Sequence, residues 1–175
     1  MNASFIALVT ITVGILVSSC TVLQKARPGS TMSNAEILGL LETINRSEID
    51  AGQLAKQKAS GQEVRSYATR MIDEHQMMMR DLNRLADFME LRPQKPALAF
   101  TMENEHQDTM EELRDKSGSD FDQAYKDYQV KMHRQAVDVV QNAVDSVKNF
   151  NIKQHLRQAR PNLQDHLASA QSIEQ

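Results

Sequence analysis

The chain has 175 residues, 41% hydrophobic and 25% charged, which suits one domain with its own core and is short for two. A formal net charge of -3, without any Lys/Arg cluster flanked by aromatics, excludes a nucleic-acid-binding face of the basic kind. No Trp, few aromatics and only 6 Gly and 4 Pro point to an all-α protein.

The first element is an uncharged apolar run from Phe5 to Val17. It is shorter than the roughly 20 residues of a membrane-spanning helix and has the length of a signal-peptide core. It closes on Val17-Ser18-Ser19-Cys20, which resembles a bacterial lipobox, in which a cysteine becomes diacylated and N-terminal after cleavage. Residues 1-19 are therefore expected to be a lipoprotein signal and Cys20 the lipidation site. Cys20 is the only cysteine of the sequence, so no intramolecular disulfide competes for it. The start lacks the Lys or Arg that normally opens a signal, and the other reading is a cysteine after a non-lipidated signal or within an uncleaved anchor. Thr21 is not the Asp that retains lipoproteins in the inner membrane, so the implied address is the periplasmic face of the outer membrane, with the membrane as partner.

Residues 20-32 carry Lys25, Arg27, Pro28 and Gly29 without apolar periodicity and read as a tether, leaving 33-174 for the folded domain. Ser33 and Glu36 have capping-box spacing and start the first helix, which runs to about Lys58. Ser60 and Glu63 repeat the spacing ahead of a second helix from Gly61 to about Leu91. A third helix is predicted from Asp120 to about Lys148, capped by Ser119, and a fourth from Ile152 onward, capped by Asn151, with Pro161 expected to kink or restart it. The first and last joints are short and force antiparallel hairpins. Between them Arg92 to Ser119 is a long crossover, holding Pro93, Pro96 and an amphipathic segment around Met102 to Leu113. Two hairpins joined by one crossover make a ferritin-like up-down four-helix bundle with a short extra helix.

Drawing each apolar seam at alternating steps of three and four shows which polar residues fall inside. The first helix gives Ile37, Leu41, Ile44, Glu48, Ala51 and Ala55; the second gives Val64, Ala68, Met71, His75, Met78 and Leu82. The third gives Val130, His133, Val137 and Val140, and the last Ile152, Leu156, Ala159, Leu163, His166 and Ala170. Each seam carries one ionisable residue, and such groups are costly in a core unless paired, hydrogen-bonded or metal-bound. Counted from the hairpin joints, Glu48 and His75 lie at comparable heights, as do His133 and His166.

Glu48, His75, His133 and His166 are therefore the candidate ligands of one transition-metal ion, with Zn, Fe, Mn and Cu all suited to the donors. The same residues equally make a structural hydrogen-bond network that specifies packing without a metal. Roles in metal storage, delivery or stress protection follow from the first reading, an interaction or envelope-structural lipoprotein from the second. No phosphate loop, nucleophile elbow or cysteine–histidine pair is present, so an enzyme reading, a mononuclear metal oxidoreductase, comes last. Elsewhere, His106 sits on the crossover stripe but is read as facing solvent, as is His155. Asp73 and Glu74 are read as surface charge, Met71, Met78 and Met89 as core filler, and Phe121, Tyr125 and Tyr128 as packing under the rim.

The stretches AEILGLLETINRSEIDAGQLAKQKASGQEVRSYATRMIDEHQ, FDQAYKDYQVKMH and ARPNLQDHLASA make the chain similar to the bacterial domain-of-unknown-function family described as predicted outer-membrane proteins. The resemblance covers about Ser33 to Gln171. It implies a ferritin-like four-helix fold and, by position, recurrent polar core residues at Glu48, His75, His133 and His166, but no activity. The chain departs from ferritins and di-iron oxidases, whose second and fourth helices carry Glu-x-x-His. Ile72 and Leu163 stand at those glutamate positions, so the bridging carboxylates are missing and the likeness is one of fold.

Overall fold

The structure is a computed structural model that describes residues 32–174; the expected signal, Cys20 and nearly all of the expected tether lie outside the described residues. Five helices follow in order: α1 (Asn34–Lys58), α2 (Gln62–Phe88), α3 (Ala97–Asp115), α4 (Gly118–Ser146) and α5 (Phe150–Ser172). α1 packs chiefly on α2 and α4 on α5, while α3 lies along α1 and touches α4. This is the all-α, ferritin-like up-down bundle of two antiparallel hairpins. The crossover, however, holds a full 19-residue helix rather than a short one.

The apolar seams account for that association. Ile37, Leu41, Ile44, Ala51 and Ala55 of α1 face Val64, Ala68, Met71 and Leu82 of α2, and all are buried, as are Val140, Ile152, Leu156, Leu163 and Ala170 of the second hairpin. At roughly 25 cal/mol per Å² of apolar surface removed from water, this interior is the main stabilising term. Phe121 and Tyr125 are fully buried and Tyr128 nearly so, with the Phe121 and Tyr125 rings stacked, as the rim reading requires.

The helix starts divide by how their free amides are satisfied. At α1 the Ser33 hydroxyl accepts from the Glu36 amide (3.2 Å) and the Glu36 carboxylate from the Ser33 amide (2.8 Å), the predicted capping box. At α2 the expected Ser60 box does not form, and Gly61 is the cap. Asp122 of α4 takes over instead, accepting from the Ser60 amide (3.0 Å), the Ser60 hydroxyl (2.5 Å) and the Gly61 amide (2.7 Å). α4 begins after Ser117 instead of Ser119, with Gly118 in the left-handed region (φ +59°). α5 is capped by Asn149, whose side chain accepts from the Ile152 amide, two residues ahead of the predicted Asn151. Pro161 neither ends nor restarts α5, which is continuous from Phe150 to Ser172.

The two ends of the bundle are pinned differently. At the proximal end, where the described chain begins, the Gln94 amide donates to the Ala35 carbonyl (2.9 Å). A Cβ on Gly39 would sit 2.1 Å from the Gln94 carbonyl oxygen, so only glycine lets the segment after α2 cross α1 so closely. α2 stops there with Glu90 at φ +53° and Leu91 donating to the Ala86 carbonyl, a Schellman-type ending. The distal end is closed by the Asp122 clasp and by Lys126 donating to the Ile173 carbonyl (2.5 Å).

Candidate metal centre

Three of the four predicted residues meet. His75 of α2, His133 of α4 and His166 of α5 are each 0% exposed, and one ring nitrogen from each lies within 4.8 Å of the others. His75 Nε2 is 3.4 Å from His133 Nε2, and His133 Nε2 is 3.2 Å from His166 Nδ1.

The outward nitrogens decide what the inward ones present. His75 Nδ1 donates to Asn45 Oδ1 (2.9 Å), His133 Nδ1 to the Gln129 carbonyl (3.0 Å) and His166 Nε2 to Glu74 Oε2 (2.5 Å). A backbone carbonyl and a carboxylate can only accept, and the amide oxygen of Asn45 does the same. Each neutral ring thus spends its single N–H outward and turns a lone pair inward. In this tautomer three lone pairs converge, an arrangement that can hold a metal ion. Protons fill this role poorly: burial, aided by the neighbouring imidazoles, holds His75 well below its ordinary range. Burial also lowers His166 to about 4 in spite of its bond to Glu74.

Glu48 does not join the cluster. It is 1% exposed, but its Oε2 accepts from Gln129 Nε2 (2.7 Å) and its Oε1 lies 3.8 Å from His133 Nδ1, behind that ring. Helix height explains this. His75 and Asn45 are both fifteen residues from Ser60, whereas Glu48 is twelve, about one turn nearer the distal end. Asn45 therefore meets His75, and Glu48 meets Gln129. Burial raises the Glu48 carboxyl above its ordinary range, against the opposing pull of His133 and Gln129.

Around these residues runs a second ring of polar contacts. The Tyr67 hydroxyl lies 3.1 Å from Gln129 Oε1 and 3.2 Å from the His166 carbonyl, tying α2 to both helices of the other hairpin. Arg70 donates from Nε to Glu74 Oε1 (2.7 Å) and also holds Asp165 and Ser169. Burial raises Glu74, but the hydrogen bonds from Arg70 and His166 outweigh it and keep the carboxyl below its usual range. Glu74 is thus a partner of the cluster and not the surface charge expected, because α5 packs against the flank of α2 that carries it; Asp73 does face solvent. The i,i+4 spacing of Arg70 and Glu74 was the available signal.

His106 also departs from expectation. It is 6% exposed, with Nδ1 2.7 Å from the Tyr128 hydroxyl and Nε2 3.0 Å from Asp50 Oδ2, bridging α3 to α4 and α1. Its place on the α3 stripe, four residues after Met102, was the sign of burial. His155 is half-buried rather than solvent-facing. Met71 is core filler as expected, whereas Met78 and Met89 are only partly buried.

Fold and site together define a ferritin-like helical bundle with a buried three-histidine cluster between its hairpins. Residues 21–173 match the DUF4142 family, a domain of unknown function, and the chain belongs to that family. Two solved structures share the fold. A Streptomyces coelicolor DUF305 protein described as secreted is 12% identical with a TM-score of 0.63, covering 79% of this chain and 91% of that one. CopM in its Cu(II)-bound form is 10% identical with a TM-score of 0.64, covering 81% of this chain and 95% of its own. Comparison with curated protein sequences finds no match. No helix among the described residues is long and apolar enough to cross a membrane.

Proposed function

We propose that this protein is a lipid-anchored envelope protein whose bundle core holds one transition-metal ion through His75, His133 and His166, serving metal handling or protection from metal stress. The observation that carries the reading is the set of three inward lone pairs, each fixed by an outward N–H bonded to an acceptor. A purely structural network would pair donors with acceptors at its centre, and this one pairs none. Second-sphere acceptors of this kind orient metal-ligating histidines and raise their basicity. Glu48 belongs to this outer layer: it holds Gln129, whose carbonyl fixes His133.

Three neutral imidazoles without thiolate or inner carboxylate suit copper or zinc ahead of manganese, and copper ranks highest with such donors. The fold shared with CopM, a protein with a Cu(II)-bound form, makes copper the first ion to try. The lipobox-like Val17-Ser18-Ser19-Cys20 supports an anchor on Cys20, and Thr21 in place of Asp supports the periplasmic face of the outer membrane.

Elemental analysis of the purified full chain, with copper titration followed by thermal unfolding, tests the site. One ion per chain and a raised melting temperature are expected, both lost in His133→Ala. Neither bound metal nor any shift on adding copper or zinc would reduce the cluster to a packing device.

A further inference from the structure

Most of the large hydrophobic side chains exposed among the described residues gather at one end of the bundle. Phe88 (75% exposed), Leu98 (43%), Phe100 (54%) and Phe150 (71%) stand out from the surface, and only Met77 lies elsewhere. Phe88 closes α2, Leu98 and Phe100 open α3, and Phe150 opens α5. The bond from Gln94 to Ala35 fixes the α2–α3 connection beside the start of α1, and the antiparallel run of α2 and α5 brings Phe150 to the same level. From His75 to Phe88 and from His166 to Phe150, the helices climb roughly 20 Å to this proximal end.

The chain leaves the bundle at that same end. Ser33 caps α1 there, and residues 21 to 32 separate it from Cys20, a stretch that spans at most about 40 Å when fully extended. A lipid on Cys20 therefore attaches the bundle through this end, the one nearest the anchor along the chain. Aromatic and Leu side chains flanked by basic groups are the residues that settle at a lipid–water boundary. Here Lys95 lies 5.3 Å from the Phe100 ring centre, and Arg92 and Lys148 are exposed nearby. Asp87 and Glu90 are exposed beside them, so the contact is made by apolar side chains rather than by net charge.

We infer that the proximal end is a membrane-docking face: Phe88, Leu98, Phe100 and Phe150 enter the interfacial layer of the bilayer that the lipid on Cys20 occupies, and the bundle stands on end with its metal centre held off the surface. The inference rests on the anchor reading of Cys20.

The chain contains no Trp, so one introduced indole is a clean reporter. Phe88→Trp, Phe150→Trp and, at the distal end, Gln62→Trp are made singly in the full chain and reconstituted into phosphatidylethanolamine/phosphatidylglycerol vesicles with brominated acyl chains. Reporters at 88 and 150 are expected to shift to the blue and be quenched at least about two-fold more than the one at 62. Equal quenching at all three positions overturns the docking face. So does shielding at 88 and 150 that follows protein concentration without vesicles, which would mean a second copy covers this end. Intact mass reads the anchor separately. Lipid on Cys20 with unquenched reporters overturns docking alone, whereas a bare thiol removes anchor and docking together and leaves the three-histidine centre standing.

Discussion

Two buried histidine constellations lie in the bundle, and they are finished differently. His106 has a partner on each ring nitrogen, the Tyr128 hydroxyl on one side and Asp50 on the other, so its hydrogen-bonding capacity is used within the protein. His75, His133 and His166 are satisfied on their outer nitrogens only, and their inner nitrogens face one another. Burial alone therefore does not single out a candidate ligand site; what distinguishes this one is an unspent lone pair directed at its like.

The contrast is broken most severely by removing one imidazole from each constellation. His133→Ala is expected to weaken copper binding by more than about 100-fold, beyond the 10–100-fold that loss of an outer partner costs, while His106→Ala leaves it unchanged. Competitive titration against a chromogenic chelator measures both. The outer acceptors sharpen it: Glu74→Gln is expected to weaken binding about 10-fold, and Asp50→Asn not at all. For stability the ranking reverses. His106→Ala strands the Tyr128 hydroxyl and is expected to cost about 1–3 kcal/mol in urea unfolding without metal, while Glu74→Gln costs less because Glu74 is half-exposed.

The metal-free protein tests the contrast through pH. His75 and His166 are held below their ordinary value of 6.5, His166 at about 4, so between those limits the unfolded chain binds more protons than the folded one. Stability present above pH 6.5 is therefore lost as pH falls toward 4. Glu48, raised by burial, acts in the opposite sense above its ordinary 4.5, so Glu48→Gln should steepen the histidine limb in urea midpoints taken across pH 5 to 7, above the range in which the lowered carboxyls of Glu36, Glu74 and Glu105 titrate. A flat midpoint in that variant would mean the cluster takes up protons freely.

The seams were legible because a 3.6-residue period reports directly which side faces the core, and His75, His133 and His166 stood out as polar breaks within it. What the period does not report is height to within a turn. The seam puts Glu48 level with His75 although Asn45 is the residue equidistant from the joint, and a neutral amide does not stand out in an apolar stripe as a charged group does. Partners contributed from a neighbouring helix, such as Glu74 for His166, depend on how α5 is rotated against α2, which no single helix encodes. The α2 cap is hidden from the local sequence for a similar reason, since its acceptor lies far along the chain.

That last feature bears on how the chain folds. The turn between the first two helices has its amides bonded to a carboxylate sixty-two positions downstream, so the leading hairpin, forming by itself, leaves them to water. Asp122 thereby acts as a latch: the first half of the bundle is completed only when the second arrives. The same arrival brings His133 and His166 to His75, so a half-folded intermediate lacks a competent centre, and unfolding should proceed as one cooperative transition in which latch and centre are lost together.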